Sequence, residues 1–263
     1  MVERRVAVTG GRGFLGAEVC RQTGATPFDL RDGFDVCLAP VALGGYTHVI
    51  HLAGVLGTDE LFDRPHQAVD VNIHGTLNVL EACRLRDVAY TGITMPSVWT
   101  NVYSATKGCS RQLASAWHHE FGVPVSHVRA FNVFGEGQKV HGVAKIVPTF
   151  ASAAWRGEPI PIWGDGNQTV DLVYVGDVAR RLVEALDYAD DRVLDAGTGT
   201  PFTVNEVAQM VLDITGSKAG VVHRPMRRGE QAAEVCASGK GLAPFRYQEF
   251  ERTVRWYEHE GRP

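Results

Sequence analysis

VAVTGGRGFLG, residues 6–16, is a short β-branched run that breaks into a glycine-rich turn and then into a helical pattern. Gly10, Gly13 and Gly16 follow directly on the strand pattern, where a helix opens with Phe14 and Leu15. Glycines at this spacing allow a tight turn and a close backbone approach. The helix N-terminus adds free N–H groups and a positive dipole end. Together they predict a strand–turn–helix unit that holds the pyrophosphate of a dinucleotide.

The fold follows from what surrounds that stretch. TPFDL, THVIHLAG, VAYTGITM and PVSHVRAFNVFG read as strands. FLGAEVCRQTG, PHQAVDVNIHGTLNVLEACRLR and YSATKGCSRQLASAWHHEFG read as helices between them. Strict alternation predicts parallel βαβ units, hence an α/β protein with a doubly wound parallel sheet. After about residue 133 Gly and Pro punctuate more often, as in RGEPIPIWGDGNQ and AGTGTPF. This predicts a dinucleotide-binding domain over residues 1–133 with returning segments near 165–200. Residues 134–263 form mostly a smaller substrate lobe. Thr203 and Glu206, three apart before an apolar run, predict a capping box.

The 263 residues carry a formal net charge of −4 and no basic run, which excludes a nucleic-acid footprint. Five scattered cysteines with no C-x-x-C pair exclude a disulfide frame and a zinc site. No stretch is apolar enough to span a bilayer, and the N-terminus lacks a signal-peptide core. A cytoplasmic protein is expected, with no membrane and no metal.

Asp29 ends the second strand pattern about twenty residues after the first glycine, where a carboxylate bonds the adenosine ribose 2′-OH. That favours NAD over NADP, because a carboxylate repels a 2′-phosphate, although Arg12 and Arg31 lie close by. Asp35 reads either as a contact at the adenine end or as a turn acid. Tyr103 and Lys107, at i and i+4, share one helix face. A free tyrosine is a poor base at neutral pH, but a neighbouring ammonium and a cationic nicotinamide both favour its phenolate. The pair reads as an acid/base couple on the helix after a strand.

On these residues the chain resembles the extended short-chain dehydrogenase/reductase superfamily, in particular the NAD-dependent sugar-nucleotide epimerase/dehydratase family. TGGRGFLG is similar to its cofactor loop, VIHLAG to its fourth-strand motif, VNIHGTLNVLEAC to the following helix, and YSATK to its catalytic pair. The resemblance implies a Rossmann fold and NAD held by Gly10, Gly13, Phe14, Leu15, Gly16, Asp29, Asp35, Leu52, Ala53, Gly54, Asn72, Tyr103 and Lys107. It also implies a nucleotide sugar as substrate, met by Asn132 in VRAFNVFGEGQ and by Arg227 in MRRGEQ, and a homodimer. Trp163 either stacks on a base or packs in the lobe. His51 reads as a buried strand residue.

The departures are specific. ITMPSVWTN puts Met95 where the family carries a hydroxyl residue, leaving Thr94 or Ser97 as the replacement. No acid adjoins Thr94, which argues against a dehydratase. Only Asn101 and Val102 separate this motif from Tyr103, where the family inserts a loop. Val170 stands where the family commonly has an arginine. The expected function is a 4-epimerase of a nucleotide sugar. The alternatives are an NAD(P)-dependent reductase or dehydrogenase of a keto sugar, and a non-catalytic dinucleotide sensor.

Overall fold

A computed structural model describes residues 4–39, 41–238 and 242–260. β1 (Val6–Thr9) leads into α1 (Phe14–Thr23), which ends on Gly24 at φ 70°. Only a residue without a Cβ takes that left-handed closing position without strain. β2 (Thr26–Phe28) and β3 (His48–His51) are followed by α2 (Pro65–Ala68), a π-helical turn (Val69–His74) and α3 (Gly75–Arg86). Then come β4 (Ala89–Thr94), α4 (Val102–Phe121) and β5 (Val125–Ala130). The chain continues through β6 (Asn132–Phe134), α5 (Ile146–Trp155), β7 (Ile160–Trp163), β8 (Thr169–Tyr174), α6 (Val175–Ala185) and β9 (Val193–Ala196). It closes with β10 (Pro201–Thr203), α7 (Val204–Thr215), β11 (Val221–Arg224) and α8 (Tyr247–Glu260).

Two units result. The first comprises Met1–Ala130 and Gly176–Ala196, the second Phe131–Val175 and Gly197–Pro263. The first holds a six-stranded, all-parallel sheet in the order β2-β1-β3-β4-β5-β9. This is the doubly wound sheet that the sequence predicts. Its core is built from Ala7, Val49, Val79, Leu80, Tyr90 and Val125. Thr9 pairs with both Phe28 and His51, so the glycine turn and the Leu52–Ala53–Gly54 turn leave the same carboxyl edge side by side. Ligands of open parallel sheets bind at that edge.

VIHLAG is the third strand in chain order, as the succession of strand patterns places it. Residues 29–39 and 41–47 form a 3-10 turn and loop, where Asp and Gly residues interrupt any alternating pattern. One expectation changes: the returning segment is shorter than 165–200. β8 belongs to the second unit, in a three-stranded sheet ordered β10-β8-β6, and only α6 and β9 return. The second unit has its own core around Phe134, Phe150, Ile162, Leu172, Val211, Phe250 and Tyr257. The capping box at Thr203 and Glu206 is formed in full. Among the described residues, no helix is long and apolar enough to cross a membrane, and no cluster could hold a metal ion.

Candidate active site

The glycine turn is a wall made of backbone. Gly10 has φ 68°, and a Cβ there would lie 2.8 Å from the Ala53 nitrogen. At Gly16 a Cβ would fall 2.2 Å from the Gly10 carbonyl oxygen, so α1 packs on the turn only because that position is glycine. Gly13 donates to the Gly10 carbonyl at 2.9 Å and is the N-cap of α1. No side chain caps this end, so the first-turn N–H groups, beginning at Phe14 and Leu15, are left for a ligand. Residues of this kind fit the pyrophosphate of a dinucleotide. The sequence reading missed Gly11, where a Cβ would lie 2.6 Å from the Pro27 Cα.

Asp29 accepts the Arg12 N–H at 3.0 Å and the Arg31 N–H at 3.1 Å, one on each carboxylate oxygen. The two arginines that confused the choice of dinucleotide are both engaged. Arg12 bonds Asp32 at 2.6 Å, and Arg31 donates to the Arg12 carbonyl at 2.9 Å. Asp35 accepts the Cys37 N–H at 2.9 Å, the geometry of a turn acid.

Asn72, expected either at the cofactor or as a tie between helix and strand, makes its hydrogen bonds within the protein. It is buried in the π-helical turn, where Nδ2 donates to the Val55 carbonyl (3.2 Å) and to Thr106 Oγ1 (3.0 Å). Its Oδ1 accepts the Val55 N–H at 2.9 Å. Both amide hydrogens are therefore used in fastening the loop after β3 to α4, beneath Gly54.

Tyr103 and Lys107 lie one turn apart at the start of α4. Asn101 caps the helix by accepting the Ser104 N–H at 2.9 Å. The missing loop thus brings the cap two residues before Tyr103 and sets its phenol in the first turn, at the positive end of the helix. Lys107 is buried and Tyr103 half-buried. Burial pushes the Tyr103 phenol up to about 12 and the Lys107 ammonium down to about 8. The expectation that the lysine lowers the tyrosine is not met by the protein alone, where burial sets the direction. Thr94 ends β4 and is buried, with no hydrogen-bond partner for its hydroxyl among the described residues, whereas Ser97 lies in an exposed loop.

In the second unit, Asn132 opens β6. It is half-exposed rather than buried, and its amide has no hydrogen-bond partner among the described residues. Arg227 stacks its guanidinium 5.1 Å from the centre of the Trp163 ring and forms an ion pair with Glu230. Trp163 is therefore packed against a cation. The arginine expected at a diphosphate already has one carboxylate beside it.

A sequence model of the NAD-dependent epimerase/dehydratase family matches residues 28–197, more than half of the chain. The chain belongs to that family. This family member is an NAD-dependent enzyme, with NAD as its cofactor. It is 24% identical to a UDP-N-acetyl-alpha-D-glucosaminuronate decarboxylase of Bacillus cytotoxicus, over 86% of this chain and 85% of the relative. It is 30% identical to a UDP-glucuronate 4-epimerase of Thermodesulfobacterium geofontis, over 65% of this chain and 58% of the relative. The crystal structure of a UDP-glucose 4-epimerase of Thermotoga maritima, with UDP-glucose, superposes with a TM-score of 0.88 at 23% identity. It covers 97% of this chain and 99% of that one.

Two histidines of this epimerase/dehydratase carry a stability consequence. Burial lowers His51 to about 3, helped by the charge of Lys107. Burial also lowers His127 to about 4, against the opposing pull of Asp191 at 3.3 Å. In the unfolded chain both titrate near the ordinary value of about 6.5. Between those limits the unfolded state binds more protons than the folded one, so stability falls as the pH drops below that ordinary value. The urea midpoint is expected to be clearly lower at pH 5 than at pH 7.5, by up to about 1 kcal/mol per pH unit from each histidine. A flat profile over that range would show that the two rings are not neutral and buried.

Proposed function

We propose that the protein is a 4-epimerase of a nucleotide-activated sugar. The observation that carries this reading is a half-buried Tyr103 one turn before a buried Lys107 at the start of a capped helix, with a Thr94 hydroxyl that has no partner among the described residues and no acid next to it. Elimination of water from the sugar needs an additional acid/base pair, which this motif lacks. Removal and return of hydrogen at one carbon needs, beside the hydride acceptor that NAD would supply, only one acid/base group for the proton.

In this reading Tyr103, as phenolate, takes the proton of the C4 hydroxyl. When bound, NAD supplies the hydride acceptor and donor at C4 and a positive ring that offsets the desolvation of the phenol. Lys107 holds the phenolate through its charge, and Thr94, rather than the exposed Ser97, orients the C4 oxygen. The 4-keto sugar would turn over and take the hydride on its other face, while Tyr103 returns its proton to the C4 oxygen. No atom is gained or lost.

Asn132 and Arg227 support a nucleotide-sugar substrate. Asn132 offers an amide without a partner among the described residues, and Arg227 a cation beside an aromatic face. The relatives named above act on UDP-sugars, which sets the panel to test. Purified protein is incubated with UDP-glucose, UDP-N-acetylglucosamine, UDP-glucuronate and dTDP-glucose, and products are read by NMR. Inversion at C4 of at least one is the expected result. Release of carbon dioxide, accumulation of a 4-keto-6-deoxy sugar, or net consumption of added reduced cofactor would replace the epimerase reading with another.

A further inference from the structure

A buried hydrogen-bond chain joins the turn after β3 to the first turn of α4. Thr9, His51, Thr76, Asn72 and Thr106 are its members, and all are buried. Its polarity can be assigned one proton at a time. The Asn72 carbonyl can only accept, and Thr76 Oγ1 lies 2.6 Å from it, so the single hydroxyl proton of Thr76 goes there. His51 Nε2, 3.1 Å from the same hydroxyl, must then be the donor. A neutral imidazole has one N–H, which leaves Nδ1 as acceptor for the Thr9 hydroxyl at 2.7 Å. The Ala53 N–H in turn donates to Thr9 Oγ1 at 3.3 Å. At the other end Asn72 Nδ2 donates to Thr106 Oγ1, whose one proton is shared between the carbonyls of Val102 at 2.9 Å and Tyr103 at 3.1 Å.

We propose that His51 is a positioning residue of this enzyme: as the neutral Nε2–H tautomer it sets the Ala53 turn, which walls the glycine loop, in register with the turn of α4 that carries Tyr103. The proposal rests on the reading of Tyr103 as the acid/base group only for its effect on turnover. Its effect on the dinucleotide wall stands apart, because Ala53 and Gly10 are in close backbone apposition. An imidazole suits the place because donor and acceptor lie on opposite sides of one rigid ring. Glutamine and asparagine present both at one end, so neither can bridge Thr9 and Thr76 as the ring does. The charged groups that bear on the ring keep it neutral. Lys107 repels a second positive charge, and the ring of Tyr90, 5.9 Å away between centroids, offers no counter-ion.

The test has arms that need no sugar. Nitrogen-15 NMR of the histidine side chains is expected to show His51 as the Nε2–H tautomer, without titration from pH 5 to 8, with and without NAD. Calorimetric titration with NAD is expected to show affinity about tenfold weaker for His51→Gln and Thr76→Val, the scale of one lost buried hydrogen bond. Thr76→Ser, which keeps the hydroxyl, should restore it. With a turned-over substrate in hand, kcat is expected to fall in the same two variants and recover in Thr76→Ser. An Nδ1–H tautomer, a ring that titrates near its ordinary pKa, or Thr76→Val with wild-type NAD affinity would overturn the proposal. If His51→Gln does not fold, the Thr76 pair decides alone. A merely structural role would lower the melting temperature while NAD affinity and kcat, measured well below it, stay unchanged. If no panel sugar turns over, the epimerase reading fails while the tautomer and NAD arms still decide for His51.

Discussion

Tyr103→Phe stops turnover and leaves NAD bound. The substitution removes one hydroxyl and keeps the ring, so the half-buried first turn of α4 and the Asn101 cap stay packed. What is lost is the only phenol in the YSATK motif. Loss of a positioned acid/base group costs about a hundred- to ten-thousand-fold in kcat. NAD affinity should stay within about twofold, because the glycine loop contributes backbone and helix end rather than phenol. The pH profile supports the same assignment. Burial alone holds the phenol near 12, so activity at neutral pH requires the bound cofactor to bring it down. Near wild-type turnover in Tyr103→Phe would remove the acid/base role from this helix.

Asp171→Ala is expected to be the most destabilising single change in the second unit. Asp171 lies on β8 with no solvent exposure. Its carboxylate accepts the N–H groups of Thr198 (2.8 Å), Gly199 (2.9 Å) and Ala237 (3.0 Å), and the Thr198 hydroxyl at 2.6 Å. It therefore gathers the turn after β9 and the segment at 236–237 onto β8. Alanine would leave four donors without their acceptor, that of Ala237 buried and those of Thr198 partly buried, a loss of about 3 kcal/mol. Asparagine keeps one oxygen but turns an N–H toward N–H groups, so it should recover only part of that. A urea midpoint for Asp171→Ala within error of wild type would mean these bonds are not formed in solution.

Two parts of the site were readable because they are local. The glycine spacing after β1 and the i, i+4 pair Tyr103–Lys107 are each complete within one short stretch, and each sits where the sequence placed it. The polar network was not readable. Thr9, His51, Thr76 and Thr106 find their partners on four different elements, and a Thr in a helical run looks like an ordinary surface residue. The i, i+4 pairs Asn72–Thr76 and Thr106–Ser110, small polar residues on one helical face, were the available signal. Ser110 Oγ donates to the Asn72 carbonyl at 2.5 Å, which ties those two faces together. AGTGTPF showed only its Gly and Pro punctuation; the connection it makes between β9 and β10 wraps the remote carboxylate of Asp171. The rise in the Tyr103 pKa was hidden for the same reason. It depends on burial, which the motif does not display, whereas the lysine is visible in the motif.

The claim that hydrogen is removed and returned at one carbon is tested most directly with isotope. Protein is incubated with a converted nucleotide sugar that carries deuterium at C4, and the product is read by NMR. The account predicts an inverted C4 that retains its deuterium, because hydride leaves and returns within one site without meeting water. Deuterium lost to solvent, or an unchanged C4 with reaction elsewhere on the sugar, would contradict it.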